Sequence, residues 1–275
     1  KSGEPVSMLK VVRGRLAGGR WVDGQVIWQA DVETYTSMTD GTAAGRLAVS
    51  RDGYAYFTVG MKGMANYVGI QNLGLPYGKT FRLHDDGRIP ADNPFVGRDD
   101  ALPGIWTYGH RVHQGLEVRE AKHQVWSTEM GPRGGDEVNL LLPGRNYGWP
   151  LQSLGMNYDG TPVAYGKQLG IDVDPSSIEQ TRIDLTPSPA ISNFVFYQGE
   201  AFPGWSGDLI AGSLKARELF RYELDDDDQI VHVESLIESL GRIRDVAVER
   251  SGTVLLLLEH ASGGRIVRMK PVVGS

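Results

Sequence analysis

The chain has 275 residues, 40% hydrophobic and 23% charged, which is typical of a globular protein that buries a sizeable core. A formal net charge of −6 excludes a general attraction to nucleic acid or to anionic membranes, and the lack of cysteine excludes disulfides, thiol catalysis and Cys-ligated zinc. The longest apolar runs, such as 253-TVLLLL-258, are too short to span a bilayer, so we expect no membrane insertion. Residue 1 is compatible with a position after a cleaved signal peptide, and we expect a periplasmic or secreted protein.

In chain order, short apolar runs bounded by Gly, Asp, Asn or Pro predict a succession of strand, tight turn and strand. These runs are 46-RLAVSRDGYAYFTVG-60, 123-HQVWSTEM-130, 207-GDLIAGSLKARELFRYEL-224 and 244-RDVAVERSGTVLLLLEHASGGRIVRMK-270. Two carry similar turn sequences, Arg51-Asp52-Gly53 and Arg250-Ser251-Gly252, which form a weak internal repeat. At roughly 40–45 residues per four-stranded blade, the chain length suits an all-β propeller of about six blades. A pair of packed sheets in a β-sandwich is the alternative architecture.

Long segments without strand character separate these runs, at 61–79, 85–104 and 155–177. Loops of this length inside a compact domain are usually functional or disordered, and no segment has the composition of an interdomain linker. We therefore expect residues 1–275 to form one domain. The segment 129-EMGPRGGDEVNLLLPGRNYGWP-150 contains five glycines, which predicts a backbone held where a side chain would not fit.

That segment closely resembles the signature of the soluble aldose sugar dehydrogenases that use pyrroloquinoline quinone (PQQ), the glucose/sorbosone dehydrogenase family. Further similar segments follow in family order: 45-GRLAVSRDGYAYFTVG-60, 78-GKTFRLHDDGRIPADNPF-95, 106-WTYGHRVHQGL-116, 212-GSLK-215 and 241-GRIRDV-246. The resemblance implies a six-bladed β-propeller that binds calcium and PQQ. It also implies an aldose sugar and an electron acceptor as partners, with hydride passing from the anomeric carbon to the quinone.

Several cations match the family's cofactor site. Arg242 and Arg244 are two residues apart, which places both side chains on one strand face, and Lys215 follows a strand-like run. The resemblance implies that these three pair with the PQQ carboxylates and that Arg111 stabilises charge on the reacting quinone oxygens. It places Tyr158 near the cofactor plane. The alternatives are a solvated outer face for the two strand arginines, a structural salt bridge for Arg111 and a core position for Tyr158.

Calcium ligands are implied in the glycine-rich segment. Glu137 would bind calcium through its carboxylate and Tyr147 through its backbone carbonyl, while the carbonyls of Gly131 and Pro132 would hold a second calcium against PQQ. Hard oxygen ligands on a bent loop suit this ion.

The sequence departs from the family pattern at three site positions. Thr42 stands where the family has the His that removes the proton of the anomeric hydroxyl, and a threonine hydroxyl is no base near neutral pH. Val112 replaces an Asn that contacts the cofactor, and Met130 replaces a His or Gln. Asp40 and His113 are the nearest alternative bases in sequence. The similar segments also begin near what would be the second blade, so we expect the family's N-terminal blade region to be missing and the propeller to have five or an incomplete six blades.

Two hypotheses follow. The first is a PQQ-dependent sugar dehydrogenase, and the second is a non-catalytic propeller that retains calcium and an anion pocket for binding. The remaining candidates for a metal site are weaker, because the acidic run 225-DDDD-228 is typical of a solvated turn. The histidines have no recognisable ligand spacing; they are His84, His110, His113, His123, His232 and His260.

Overall fold

The computed structural model describes residue 3 and residues 5–37, 42–63 and 67–271. In chain order the strands are β1 (Val6–Ser7), β2 (Lys10–Ala17), β3 (Arg20–Gln29), β4 (Thr36–Ser37), β5 (Leu47–Val49), β6 (Tyr54–Val59), β7 (Lys79–His84), β8 (Ile105–Tyr108), β9 (His113–Arg119), β10 (Gln124–Glu129), β11 (Glu137–Leu140), β12 (Ile183–Asp184), β13 (Ile191–Phe196), β14 (Leu209–Ser213), β15 (Leu219–Leu224), β16 (Ile230–Ile237), β17 (Arg242–Val248), β18 (Val254–His260) and β19 (Gly263–Met269). The α-helices are α1 (Tyr67–Gln71) and α2 (Gly166–Leu169), and single 3₁₀ turns occupy Val32–Thr34, Glu120–Lys122, Pro175–Ser177 and Pro203–Trp205.

Within the described residues the strands form six antiparallel sheets. Three have four strands each (β5 to β8, β9 to β12 and β13 to β16), β17 to β19 form a three-stranded sheet, and β2–β3 and β1–β4 form two-stranded pairs. In the four larger sheets each strand pairs with the next one in the chain, which is the connectivity of a propeller blade. The predicted all-β fold of four-stranded propeller blades is confirmed, and the alternative of two packed sheets is wrong.

The internal repeat seen in the sequence is a repeated turn. Gly53, between β5 and β6, and Gly252, between β17 and β18, have φ values of +86° and +82°, which only glycine adopts easily. Both donate their N–H three residues back, to Ser50 O at 3.1 Å and to Glu249 O at 2.8 Å. The predicted hairpins at these turns are confirmed. The segment 123–130 was expected to hold two strands but contains only β10, because eight residues are too few for two strands and a turn.

The apolar core lies between the faces of successive sheets. Trp126 on β10 is fully buried and meets Phe196 on β13, with ring centroids 5.6 Å apart. Ile210 on β14 packs in one cluster with Ile243 on β17. These contacts bury large side chains at each boundary between blades, so the blades stabilise one another. The pair β2–β3 joins this core through Trp28, whose ring lies 4.8 Å from that of Phe57.

The acidic turn 225–228 also connects neighbouring blades. Asp228 is 6% exposed and accepts hydrogen bonds from Arg119, from Lys122 Nζ at 2.6 Å and from Gln124 Nε2 at 2.8 Å. The prediction of a wholly solvated turn is therefore wrong for Asp228. Its carboxylate is paired because β16 brings the turn against the β9–β10 hairpin.

The first strands of the four larger sheets run side by side. β9 contacts both β5 and β13, and β13 contacts β17. Asn193 on β13 donates to the Asp245 carboxylate on β17, and Arg46 Nη1, just before β5, lies 3.3 Å from Asp245 Oδ2. A Cβ at Gly115 on β9 would lie 2.9 Å from Asn193 Oδ1. The early residues of these strands thus meet around one axis, so all four strands begin at the same end, which we call the upper end.

The lower end of this axis holds a cavity of about 1090 Å³, lined by later residues of β9, β13 and β17. Glu117 on β9 lies in its wall. Burial of this side chain, with the charge of Glu120 beside it, raises the Glu117 pKa from 4.5 to about 7. The folded protein therefore binds this proton more tightly than the unfolded chain.

This shift predicts a pH-dependent loss of stability. Because the folded-state pKa is raised, the contribution of Glu117 is present below about pH 4.5 and is lost as the pH rises to about 7. We expect Glu117→Gln to raise the free energy of unfolding at pH 8 by roughly 1 kcal/mol and to leave it unchanged at pH 4. Thermal denaturation at both pH values measures this. Glu200→Gln, at an exposed site, is the control, and an equal gain at pH 4 would contradict the prediction.

Candidate functional site

The upper end of the axis collects most of the residues predicted from the sequence. Arg111 immediately precedes β9, and Arg242 and Arg244 lie in the first three positions of β17. Lys215 follows β14, whose last residue pairs with the first residue of β13, so Lys215 is at this end too. The loop 129–137 follows β10, whose last residue pairs with the first of β9. The antiparallel connectivity therefore brings four cations and the glycine-rich loop to one face of the propeller.

Arg111 is held rigidly beside the glycine-rich loop. It is 7% exposed, and its Nη1 donates to Met130 O at 3.1 Å and to Gly131 O at 2.9 Å. The guanidinium carbon lies 5.4 Å from the Trp149 ring centre, while Nε is buried without a partner in the described part of the chain. No carboxylate among the described residues lies within ion-pair distance of this side chain. Arg111 is therefore fixed by carbonyls through Nη1, and within the described residues its Nε–H and the two Nη2 hydrogens remain for another acceptor.

A small cavity of about 10 Å³ lies under this loop, lined by Arg111, Glu129, Gly131, Glu137 and Tyr147, among others. Glu129 and Glu137 are directly opposite each other in the β10–β11 register. Burial, and then the charge of Glu129, raises the pKa of Glu137 to about 8. The carboxylates of the buried Glu129 and the half-buried Glu137 repel each other when both are charged, unless a cation lies between them.

The residues around this cavity fit calcium. The hydroxyl of Tyr147 is already engaged, since it donates to Leu140 O and accepts from Leu142 N–H at 2.9 Å, so only the backbone carbonyl of Tyr147 remains for an ion. A Cβ at Gly131 would lie 2.2 Å from Gly134 O, which explains why this tightly bent loop carries glycine. Carboxylate and carbonyl oxygens around an ion-sized space are the ligands that calcium prefers.

The second predicted calcium position, at the carbonyls of Gly131 and Pro132, differs from the first because one of its oxygens already accepts a hydrogen bond. The carbonyl of Gly131 already accepts the hydrogen bond from Arg111, which leaves one lone pair on that oxygen. Pro132 is half-buried beside it. The Arg111 guanidinium therefore already places a positive charge against the Gly131 carbonyl.

Arg242 and Arg244 do share one strand face, as predicted, and both pair with one carboxylate. Their Nε atoms lie 3.3 and 2.6 Å from Glu259 Oε2, on the neighbouring strand β18. The side chains remain 41% and 45% exposed. Lys215 is exposed, and within the described ranges its ammonium has no partner. Three cations against one carboxylate leave a net positive surface that can bind an anion.

Thr42, the position of the family base, lies next to Arg111 across the segment 60–63. Its hydroxyl accepts from Gly63 N–H at 3.0 Å, and Met61 N–H of the same segment donates to Arg111 O at 2.9 Å. Of the alternative bases, Asp40 lies outside the described residues. His113 is 1% exposed and lies below the surface of the site, so it is badly placed to reach a sugar.

Two other predicted positions, Val112 and Tyr158, lie in different surroundings. Val112 is buried in an apolar cluster with Met61, Ile70 and Trp149, so its side chain makes no polar contact to a cofactor. Tyr158 is 67% exposed and lines a separate cavity of about 560 Å³ with other residues of the 157–168 loop. The core alternative for Tyr158 is therefore wrong. That loop still adjoins the site, because Met156 and Arg133 exchange backbone hydrogen bonds of 3.0 and 3.1 Å.

A buried cluster beside the site was not predicted from the sequence. His110, His113 and Glu129 each offer a ligand atom, and these atoms lie within 4.8 Å of one another. His110 Nδ1 lies 2.9 Å from Glu129 Oε2. Burial lowers the pKa of each histidine to about 3, so both imidazoles are neutral near pH 7. Two histidines three residues apart are only a weak indication of a metal site in a sequence. Their carboxylate partner, Glu129, can be identified only once the pairing of β9 with β10 is known.

Comparison with known proteins agrees with the fold and the motifs. The family model described as glucose / sorbosone dehydrogenase matches residues 1–268, including the N-terminal residues that the similar segments did not cover. The aldose sugar dehydrogenase YliI of Escherichia coli (strain K12) is 34% identical over 227 residues, or 82% of this chain. Quinoprotein glucose dehydrogenase B of Acinetobacter calcoaceticus is 28% identical over 80% of this chain. The chain spans 59% of the length of each of these two relatives.

The solved structures give the same result. A structure described as glucose dehydrogenase superimposes with a TM-score of 0.86 and 32% identity, covering 99% of this chain and 76% of that one. Among the described residues, no helix has both the length and the apolar character needed to cross a membrane.

Proposed function

This chain belongs to the glucose/sorbosone dehydrogenase family, and from that premise we propose that it oxidises aldose sugars with PQQ as cofactor and calcium as structural and electrostatic support. The observation that carries the proposal is the convergence of Arg111, Lys215, Arg242 and Arg244 at one end of the propeller axis. PQQ carries three carboxylates, so a cluster of several cations can form charge-assisted hydrogen bonds with it. The names of the two curated relatives, an aldose sugar dehydrogenase and a quinoprotein, support the same reaction.

Each part of the site has a definite role in this proposal. Arg242, Arg244 and Lys215 bind and orient the cofactor carboxylates, with Glu259 limiting the charge that they present. PQQ, when bound, would supply an o-quinone as the acceptor for the hydride of the anomeric carbon. Arg111 is already oriented by two carbonyls and stabilises negative charge at the quinone oxygens, because a preorganised donor needs no rearrangement during the reaction. The reaction also needs a base for the sugar hydroxyl, and Thr42 does not provide one.

Calcium would be held by Glu137, the Tyr147 carbonyl and neighbouring loop oxygens, and it would offset the repulsion between Glu137 and the buried Glu129. We also propose that the sugar and an electron acceptor approach at the upper end and that the protein acts in the periplasm or is secreted. Sugar, acceptor and compartment all follow from the family and not from any contact in this chain.

The absence of a His at position 42 favours a second function, a propeller that binds PQQ or a related anion without turnover. Both functions predict cofactor binding, and only the first predicts that the bound cofactor is reduced by sugar. A spectroscopic experiment therefore separates them.

We expect the protein reconstituted with PQQ and calcium to show the absorbance of bound quinone, and added aldose to change that spectrum. Arg242→Gln combined with Arg244→Gln should weaken PQQ binding by at least about tenfold, since two charge-assisted contacts are lost. Arg268→Gln is the matched control, because Arg268 Nη2 makes a similar ion pair of 2.8 Å with Glu249 away from the site. Binding without reduction would favour the binding protein, and no PQQ binding would contradict both functions.

A further inference from the structure

We propose that His110, His113 and Glu129 form a buried binding site for a transition-metal ion of the zinc type, separate from the calcium ligands of the loop. The three side chains are 0%, 1% and 6% exposed, and one ligand atom from each lies within 4.8 Å of the others. Two imidazoles and one carboxylate are a common ligand set for zinc in proteins.

In both imidazoles a threonine hydroxyl lies beside the same ring atom, Nε2. His110 Nε2 lies 2.9 Å from the Thr107 hydroxyl, and His113 Nε2 lies 3.4 Å from the Thr80 hydroxyl. These two threonines are themselves cross-strand partners on β7 and β8. A histidine that binds a metal usually has its other ring nitrogen held by a hydrogen bond. Anchoring at Nε2 therefore leaves Nδ1 of both rings as the metal-binding atom.

The two Nδ1 atoms differ, since that of His113 has no partner in the described part of the chain and that of His110 faces Glu129 Oε2. His113 Nδ1 is buried and has no partner within the described residues. A buried polar atom without a partner destabilises the folded state. If Thr107 accepts the Nε2 proton of His110, then His110 Nδ1 is an unprotonated atom that faces Glu129 Oε2 at 2.9 Å. A cation bound to all three atoms would satisfy both imidazoles and the carboxylate.

The ligand chemistry and the charge both favour zinc over calcium here. Calcium binds oxygen ligands, whereas neutral imidazole suits zinc and its neighbours in the transition series. Glu129 faces Glu137 across the β10–β11 pair, so an ion of charge +2 at the histidines would lie next to two carboxylates. Zinc bonds of about 2.0–2.2 Å need donor atoms about 3.3 Å apart in a tetrahedron, so modest side-chain rotations would close the site.

This inference does not depend on the proposed function, and its test needs no PQQ or sugar. The protein is expressed in medium with added zinc, passed through gel filtration in calcium-containing buffer, and analysed for metal content. We expect about one zinc per chain that calcium does not displace. Protein expressed with cobalt in place of zinc should show the visible absorption bands of cobalt bound by nitrogen ligands.

The variant test compares two histidines. His113→Asn should lower the bound zinc to less than about a tenth of the wild-type value and remove the cobalt bands, because one of three ligands is lost. His232→Asn, at an exposed position on β16, should change neither. If His113→Asn does not fold, X-ray absorption of the zinc-loaded wild type decides, with imidazole nitrogens at about 2.0 Å expected. The proposal would be overturned if the wild-type protein contained no zinc or if calcium displaced the bound zinc. An equal zinc content in His113→Asn and the wild type would overturn it too.

Discussion

Thr42→His should raise the rate of aldose oxidation by about 10²–10⁴-fold, the usual contribution of a positioned general base. The Thr42 hydroxyl and the Arg111 carbonyl bind opposite ends of the segment 61–63, so an imidazole at position 42 would stand close to the backbone of Arg111. A threonine hydroxyl near neutral pH cannot accept the sugar proton. The wild-type enzyme should therefore bind cofactor and turn over slowly.

The measurement is dye-linked aldose oxidation by both proteins after reconstitution with PQQ and calcium. Thr42→Asn is the matched control, since it changes the size and hydrogen bonding at this position without adding a base. We expect the gain to appear in kcat and to follow the ionisation of an imidazole as the pH rises through about 6.5. Fast turnover by the wild type, unchanged in Thr42→His, would show that another residue is the base. Asp40 would then be the first candidate, because His113 is buried beneath the site.

Removing calcium should lower the melting temperature by about 5–10 °C, and Glu137→Gln should abolish that difference. An ion present at 100 times its dissociation constant stabilises the folded state by about 2.7 kcal/mol, and each kcal/mol shifts the melting temperature by about 2–4 °C at this chain length. The physical reason is that the half-buried carboxylate of Glu137 lies opposite the buried Glu129. Calcium bound to Glu137 would offset this repulsion, whereas the metal-free protein has to keep at least one of the two carboxyls protonated.

Differential scanning fluorimetry with 1 mM calcium or with excess calcium chelator measures this effect. Glu200→Gln, an exposed carboxylate outside the site, should keep the full response. Glu137→Gln should melt at one temperature in both buffers. A wild-type protein that is insensitive to the chelator would mean that the loop is held by hydrogen bonds alone, and the calcium assignment would be wrong.

Local patterns in the sequence predicted the local parts of the fold. The hairpins around Gly53 and Gly252 were predictable because alternating apolar residues and a turn glycine are contained in about fifteen residues. The pair β2–β3 was not predicted, because most of its side chains are exposed and its glycines interrupt the alternation. Its attachment through Trp28 depends on residues of β6 and β7, which lie far along the chain.

The candidate site was predictable only where one motif carried the information. The resemblance pointed to Arg111 and Glu137 by number, but it did not reveal that Arg111 is oriented by backbone carbonyls or that Glu259 pairs with both Arg242 and Arg244. These contacts depend on strand register. The same is true of Glu129, which meets His110 and His113 because β10 pairs with β9 in a particular alignment. A sequence pattern does not specify that alignment.

The ion pair between Arg46 and Asp245 has a consequence for how the protein folds. It joins residues 199 positions apart, and it can form only after the intervening sheets have assembled. Closing a chain segment of this length costs entropy before the contact gives any stabilisation, and proteins rich in such distant contacts fold slowly. We therefore expect the sheets to form first and the contact between Arg46 and Asp245 to be a late event in refolding. Before successive sheets pack on one another their apolar faces are exposed, and the partly folded chain is most prone to aggregate.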